Sequence, residues 1–148
     1  MKRAITSVVF VISFVSLLVL GLVSRVQAEE CSDVSIKGTY GFSCEGTIVG
    51  GPLAGPIAVV GVFTADGNGT ASEVETISAN GNIFQGELFT VTYTVNADCT
   101  GSSVSTGLGP VFLDAVFHNY FVIDDNKKEF RLTATEPGVV AVCISRKQ

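Results

Sequence analysis

The chain has little of what metal and nucleophilic chemistry require, beginning with a single histidine, His118. A Ser-His-Asp or Cys-His arrangement would have to use this one residue. A zinc site needs closely spaced ligand pairs, whereas successive cysteines here are 13, 55 and 44 positions apart. The sequence therefore predicts no metal site and no cofactor.

Positive charge is also scarce after residue 28. Residues 29–148 carry six Lys or Arg and fourteen Asp or Glu residues, a net charge of −8. Nucleic acids and anionic membrane surfaces attract positively charged proteins. Neither is expected as a partner of this acidic chain.

Helical periodicity is missing from residues 29–148, and so are complete ligand-binding loops. No lysine or helix pattern follows the glycine-rich segment 50–56, which argues against a phosphate-binding loop. The segment 66–69, Asp-Gly-Asn-Gly, lacks the further oxygen ligands of an EF-hand. A tight hairpin turn explains the same four residues, since Gly and Asn supply positive φ angles.

The N-terminus has the layout of an export signal. Met1-Lys2-Arg3 precedes an apolar run over 4–23, and Val26-Gln27-Ala28 offers small residues for cleavage. The run is also long enough to span a bilayer, so an uncleaved anchor is the alternative. We predict a signal peptide over 1–28 and one domain over 29–148, secreted or periplasmic, with no stable membrane insertion after cleavage.

The composition of 29–148 predicts an all-β domain. Many Gly, Thr and Val residues occur there, and turn dipeptides recur at short intervals. Eight strands are expected, mostly joined by tight turns. Their predicted ranges are 37–49, 57–64, 70–78, 83–96, 102–106, 111–124, 129–135 and 139–146.

An eight-stranded meander would expose two sheet edges unless it closed on itself. Closure into an antiparallel up-and-down barrel removes both edges, and such a barrel holds packed side chains or one small ligand. A β-sandwich is the alternative, because a count of short strands does not separate the two.

All four cysteines lie in the predicted exported domain, which favours two disulfides over four buried thiols. In a closed meander the first and eighth strands pair, so Cys44 and Cys143 would bridge the seam. Cys31 and Cys99 would then pair near the N-terminus. The pattern around Cys143 does not decide which face of its strand looks inward.

Several short motifs occur in a fixed order along 29–148. They are Cys31-Ser32, Gly38-Thr39-Tyr40-Gly41-Phe42, Asp66-Gly67-Asn68-Gly69, Tyr93-Thr94-Val95-Asn96, Asp98-Cys99-Thr100-Gly101, Phe121-Val122-Ile123-Asp124, Lys128-Glu129 and Glu136-Pro137-Gly138. With these motifs the chain resembles a family of small secreted bacterial proteins of unknown function, whose expected shape is similar to the lipocalin-like barrel of allene oxide cyclase. The resemblance covers nearly all of 29–148, and because its motifs are turns and strand starts, it implies a fold and no catalytic residues.

Aromatic residues are spread over six predicted strands. They predict either an ordinary core or an apolar pocket for a small hydrophobic ligand. Apolar residues on both faces of some strands also suggest a subunit interface and a homo-oligomer. The residues expected to contact a ligand are Tyr40, Phe42, Phe63, Tyr93, Phe117 and Phe121.

Titratable residues give no catalytic pattern, and catalytic residues stay unknown. His118 would share a strand face with Asp114, about 13 Å away, too far for a hydrogen bond. Glu73 and Glu75 share a face of the third strand, which is typical of a solvated surface. The residues that could reach a polar lumen are His118, Glu45, Glu87 and Asp114.

Three classes of function fit these expectations. The first is an exported barrel that binds a small apolar ligand without catalysis. The second is a structural or interaction protein with a filled core. The third is a cyclase or isomerase that folds its substrate in an apolar pocket. An open lumen would separate the second class from the others, and a polar group inside it would favour the third.

Overall fold

The computed structural model describes residues 30–148, which form one closed antiparallel barrel. Each strand pairs with its neighbours in sequence, and the first strand pairs with the eighth. The up-and-down barrel is therefore confirmed over the sandwich. The predicted signal peptide and its cleavage site lie outside the described residues. Within 30–148 no helix is long and apolar enough to cross a membrane. The strands are β1 (Gly38–Ile48), β2 (Gly55–Ala65), β3 (Thr70–Ala79), β4 (Asn82–Val95), β5 (Thr100–Gly107), β6 (Val116–Asp124), β7 (Glu129–Ala134) and β8 (Val139–Lys147).

The turn over 66–69 is stabilised by hydrogen bonds between the Asp66 side chain and the backbone of the turn. The carboxylate of Asp66 accepts hydrogen bonds from the backbone N–H groups of Asn68 and Thr70, at 2.7 and 3.0 Å. Gly67 and Gly69 have φ angles of 83° and 89°, a conformation that residues other than glycine rarely adopt. The hairpin expected from these four residues is present between β2 and β3.

The barrel has two different ends. At one, which we call the plug end, a 3-10 helix (Asp33–Ile36) lies across the barrel, and its Ile36 is 1% exposed. Aromatic rings fill the interior above it: Tyr40, Phe63 and Phe130 pack edge to face, with centroids 5.1 to 6.1 Å apart. The opposite end, with the loops after β1, β3, β5 and β7, we call the mouth.

The plug helix is held to β4 by Asp33. Its side chain accepts a 2.7 Å hydrogen bond from the backbone N–H of Val95, and its carbonyl accepts one from the Tyr93 hydroxyl at 3.4 Å. The Tyr93 hydroxyl also accepts from the backbone N–H of Gly67. These contacts tie the N-terminal segment to β4 and, through Tyr93, to the β2–β3 turn.

Loss of the Asp33 side chain should loosen this end of the barrel. We expect Asp33→Ala to lower the free energy of unfolding by about 1–2 kcal/mol, because the buried N–H of Val95 loses its acceptor. Asp33→Asn keeps an acceptor oxygen and should recover at least half of the loss. Urea unfolding measures both, and equal losses would show that the hydrogen bond is not responsible.

Both predicted disulfides are confirmed. Cys44 faces Cys143 across the β1–β8 seam and is bonded to it, and Cys31 is bonded to Cys99 beside the plug helix. The open question about β8 is also answered: Cys143 is buried inside, while its neighbours Val142 and Ile144 are exposed outside. The two bonds require an oxidising environment for their formation.

The sixth strand begins later than expected, at Val116 rather than Val111. Residues 110–114 instead form turns, and Asp114 takes a φ of 60°, which a strand does not allow. The backbone N–H of Asp114 donates to the carbonyl of Gly107 at 3.0 Å. The loop therefore folds back over the mouth, and the expected face shared by Asp114 and His118 does not exist.

Candidate functional site

The barrel interior contains a cavity of about 140 Å³. Ile36, Phe130 and Phe121 border it on the plug side, whereas Ile48 and Val139 border it near the mouth. The first three are at least 95% buried, but the two at the mouth are half-buried. The lumen is therefore packed at one end and accessible at the other.

Five of the six aromatic residues expected at a ligand site line this cavity: Phe42, Phe63, Tyr93, Phe117 and Phe121. The sixth, Tyr40, is completely buried among the rings of the plug end and is not part of the lining. The sequence did not single out Phe112, which lies in the β5–β6 loop and packs its ring against Phe84 and Phe117. Ligand contact by these residues stays a prediction.

Two carboxyl groups also line the cavity, contrary to expectation. Glu73 and Glu75 point inward with Ile77, while Val74 between them is 49% exposed on the outside. The prediction that this face of β3 is solvated was wrong. The pairing of β3 with β2 sets the orientation, because it places Glu73 beside Phe63 and Glu75 beside Gly61, both on the inner face.

A third carboxyl group reaches the interior through a bulge in β4. Glu75 lies opposite Glu87, but the next pair is Thr76 with Gln85, so Gly86 has no partner. Gly86 has a φ of 70°, as is common at such bulges. The extra residue in the bulge keeps both Phe84 and Glu87 on the inner side of β4. Glu87 is 4% exposed and directly opposite Glu75.

Burial changes the proton affinity of two of these groups. It raises the pKa of Glu73 to about 7, although a hydrogen bond from the Ser105 side chain lowers it in part. Burial also raises the pKa of Glu75 to about 8, and the negative charges of Glu73 and Glu87 raise it further. A carboxyl group that is buried away from water is poorly solvated when charged, so its ionisation is costly. Both groups therefore hold their protons well above the usual range of a glutamic acid.

Glu87 has an unused hydrogen-bonding atom. Its Oε2 is buried and has no hydrogen-bond partner. This atom occupies the position that a side chain at Gly109 would take, so the β5–β6 loop covers it closely. A buried carboxyl oxygen without a donor is costly, and Glu87 itself is not among the residues that line the cavity.

The lumen has one polar and one apolar wall. Ser103, Ser105 and Asn119 of β5 and β6 continue the polar surface from Glu73, and the Asn119 amide is 3.5 Å from the Ser103 hydroxyl. The opposite wall, on β7, β8 and β1, is mostly hydrocarbon. Its lining residues include Leu132, Ala134, Val139, Ala141, Cys44 and Ile48.

The other polar candidates for the lumen lie elsewhere. Glu45 and His118 are exposed on outward faces of β1 and β6, and Asp114 is exposed in the β5–β6 loop. The backbone N–H of His118 donates to the carboxylate of Glu136 at 3.0 Å. Of the four residues expected to reach a polar lumen, Glu87 alone points inward.

The outside of the barrel carries a row of exposed apolar side chains. Val62 lies opposite Val74 and Val74 opposite Leu88, and the carbonyl of Leu88 accepts a hydrogen bond from Leu108. Each of the four side chains is at least 40% exposed. We call this set the outer apolar row.

Among residues 30–148, no group of three or more His, Cys, Asp or Glu residues is arranged to hold a metal ion. The three inward carboxyl groups thus do not form a chelating site. Comparison of the chain with protein-family models, curated proteins and solved structures finds no match. The assignment of function therefore rests on the geometry of the lumen.

Proposed function

We propose that this chain is an exported binding protein that holds one small, largely apolar molecule in the barrel lumen. The observation that carries the proposal is the cavity of about 140 Å³ inside an otherwise packed barrel. Its lining is dominated by aromatic and aliphatic side chains, which is typical of small-molecule sites. The alternative of a structural protein with a filled core would leave no such volume.

The size of the cavity limits the ligand. An apolar protein cavity of similar volume accommodates benzene. We therefore expect a compact ligand of about six to ten non-hydrogen atoms. Export supports the same proposal, because the predicted signal peptide and the two disulfides both suit a secreted or periplasmic carrier.

Native mass spectrometry of the protein purified from its producing cell tests the proposal. We expect a mass increment that disappears on denaturation and corresponds to one small molecule per barrel. A mass without an increment would contradict binding. Dimers or trimers without an increment would favour the alternative, in which the outer apolar row mediates self-association.

A cavity-filling substitution should abolish this increment. Ala141 of β8 lines the cavity, so we expect Ala141→Phe to reduce the fraction of liganded protein by at least about tenfold, because the new ring takes the ligand's volume. Val142→Phe is the matched control, since Val142 is 59% exposed on the outside of the same strand. Unchanged occupancy in Ala141→Phe would place the ligand outside the lumen.

A cyclase- or isomerase-like reaction is the second candidate. It is favoured by Glu73 and Glu75, whose pKa values of about 7 and 8 suit proton transfer near neutral pH. The ligand recovered from the protein separates the two candidates. Recovery of the same compound after incubation with fresh protein supports a carrier, whereas conversion to an isomer supports an enzyme.

A further inference from the structure

The lumen carries acidic groups without positive partners. Glu73, Glu75 and Glu87 face the interior from β3 and β4, and no Lys or Arg among the described residues lines the cavity. Arg131 and Arg146 instead pair with Glu129 at the plug end. When the inward carboxyl groups ionise, nothing in this part of the chain neutralises them.

An aromatic ring lies over the residue opposite Glu75. In one row across the sheet, Phe42 lies opposite Gly61, Gly61 opposite Glu75, and Glu75 opposite Glu87. A side chain at Gly61 would collide with the ring of Phe42, so the ring extends over Gly61 toward the acidic side. The Phe42 ring and the Glu75 carboxyl group therefore line the same cavity, and groups of both kinds attract organic cations.

We propose that the ligand is a small protonated amine with a compact apolar body, its ammonium group directed at Glu73 and Glu75. This inference rests on the proposed binding function and names the chemical class of the ligand. An ammonium group has three donors, which can serve the carboxyl oxygens of Glu73 and Glu75 at the cavity wall. The apolar body lies against the wall of β7, β8 and β1.

Metal ions do not fit this arrangement, because the three carboxyl groups are not clustered as ligands. An ammonium group with a hydrocarbon body matches both walls of the lumen. Once Glu73 and Glu75 ionise, like charge disfavours anions. A neutral molecule would then leave the ionised carboxyl groups without a partner.

Amine binding is coupled to proton release. Besides Glu87, Tyr93 of β4, at the plug side, is the other titratable group that faces Glu73 and Glu75 from the neighbouring strands. The residues that β2 and β5 place there do not titrate: they are Gly61, Phe63, Ser103 and Ser105. Since Glu73 and Glu75 hold protons near neutral pH in the empty barrel, an ammonium ion must displace them. The affinity for the amine should therefore rise with pH through about 7–8. It should then stay high until the amine itself loses its proton, near pH 10 for an alkylamine.

Isothermal titration of the full exported domain with benzylamine, benzyl alcohol and benzoate tests the inference. We expect benzylamine to bind at least about tenfold tighter than benzyl alcohol near pH 8.5, with little preference near pH 5.5. Benzoate should not bind measurably. Titrations in buffers of different ionisation enthalpy should show proton release with benzylamine and none with benzyl alcohol.

The variant Glu75→Gln should remove most of the preference for benzylamine over benzyl alcohol near pH 8.5. Glu45→Gln, on the outer face of β1, makes the same change in net charge and should behave as the unmodified protein. Benzyl alcohol binding as tight as that of benzylamine near pH 8.5 would overturn the amine inference and leave the binding function standing. Absence of binding by all three probes would overturn both.

Discussion

Removal of the Cys44–Cys143 disulfide by the paired substitution to Ala is expected to lower the free energy of unfolding by about 4–5 kcal/mol. The bond joins residues 99 positions apart, so its loss greatly increases the freedom of the unfolded chain. It also joins β1 to β8, the two strands that close the barrel. Urea unfolding under non-reducing conditions measures the effect.

The control is a neighbouring pair on the same two strands. Glu45 lies opposite Val142, and both are exposed, so replacing both with Ala should cost less than about 1 kcal/mol. A similarly small loss for the cysteine pair would show that the hydrogen bonds of the seam are sufficient to close the barrel.

The second large effect is a fall in stability between about pH 5 and pH 8.5. The folded-state pKa values of Glu73 and Glu75, about 7 and 8, exceed the ordinary value of 4.5. The folded protein therefore holds protons that the unfolded chain has already released in this range. By linkage, stability decreases as the pH rises through it.

Glu75→Gln should remove much of this dependence. The neutral amide cannot ionise, so near pH 8.5 the variant should be more stable than the unmodified protein by at least about 2 kcal/mol, given about 1.4 kcal/mol per pKa unit. Near pH 5 the two should be similar. Thermal unfolding across this range measures the difference, and the exposed Glu45→Gln is the control. Parallel curves for all three proteins would contradict the buried ionisation.

Stability should also decline at acidic pH, for the opposite reason. Hydrogen bonds from the Asn68 and Thr70 backbone lower the pKa of Asp66, and those from the side chains of Arg146 and Arg131 lower the pKa of Glu129. Such carboxylates stabilise the fold above their unfolded pKa, and this contribution is lost as the pH falls. The maximum of stability is therefore expected near pH 5.

The buried carboxyl groups thus have opposite effects on the stability of the empty barrel and on its binding of amines. Glu75→Gln should stabilise the empty barrel and weaken its preference for amines. Residues that destabilise a fold and line a cavity are typical of functional sites. A stabilised variant that retained its amine preference would show that Glu75 does not contact the cation.

The sequence by itself determined the all-β class, the eight strands, barrel closure and both disulfides. The strands and turns follow from local causes: Asp66 and the glycines beside it favour a tight turn, and strand alternation has a period of two residues. Closure then places Cys44 opposite Cys143. The late start of β6 was missed because the positive φ of Asp114 depends on a loop that packs against Gly107.

Only the tertiary structure decided what the lumen contains. The alternation of Glu73, Val74 and Glu75 is compatible with either face pointing inward, and the carboxylates alone suggested the solvated one. Pairing with β2 and the unpaired Gly86 turned three glutamates inside. The inner face of a strand depends on its register with its neighbours, so an acidic wall within an apolar barrel could not be predicted from β3 alone.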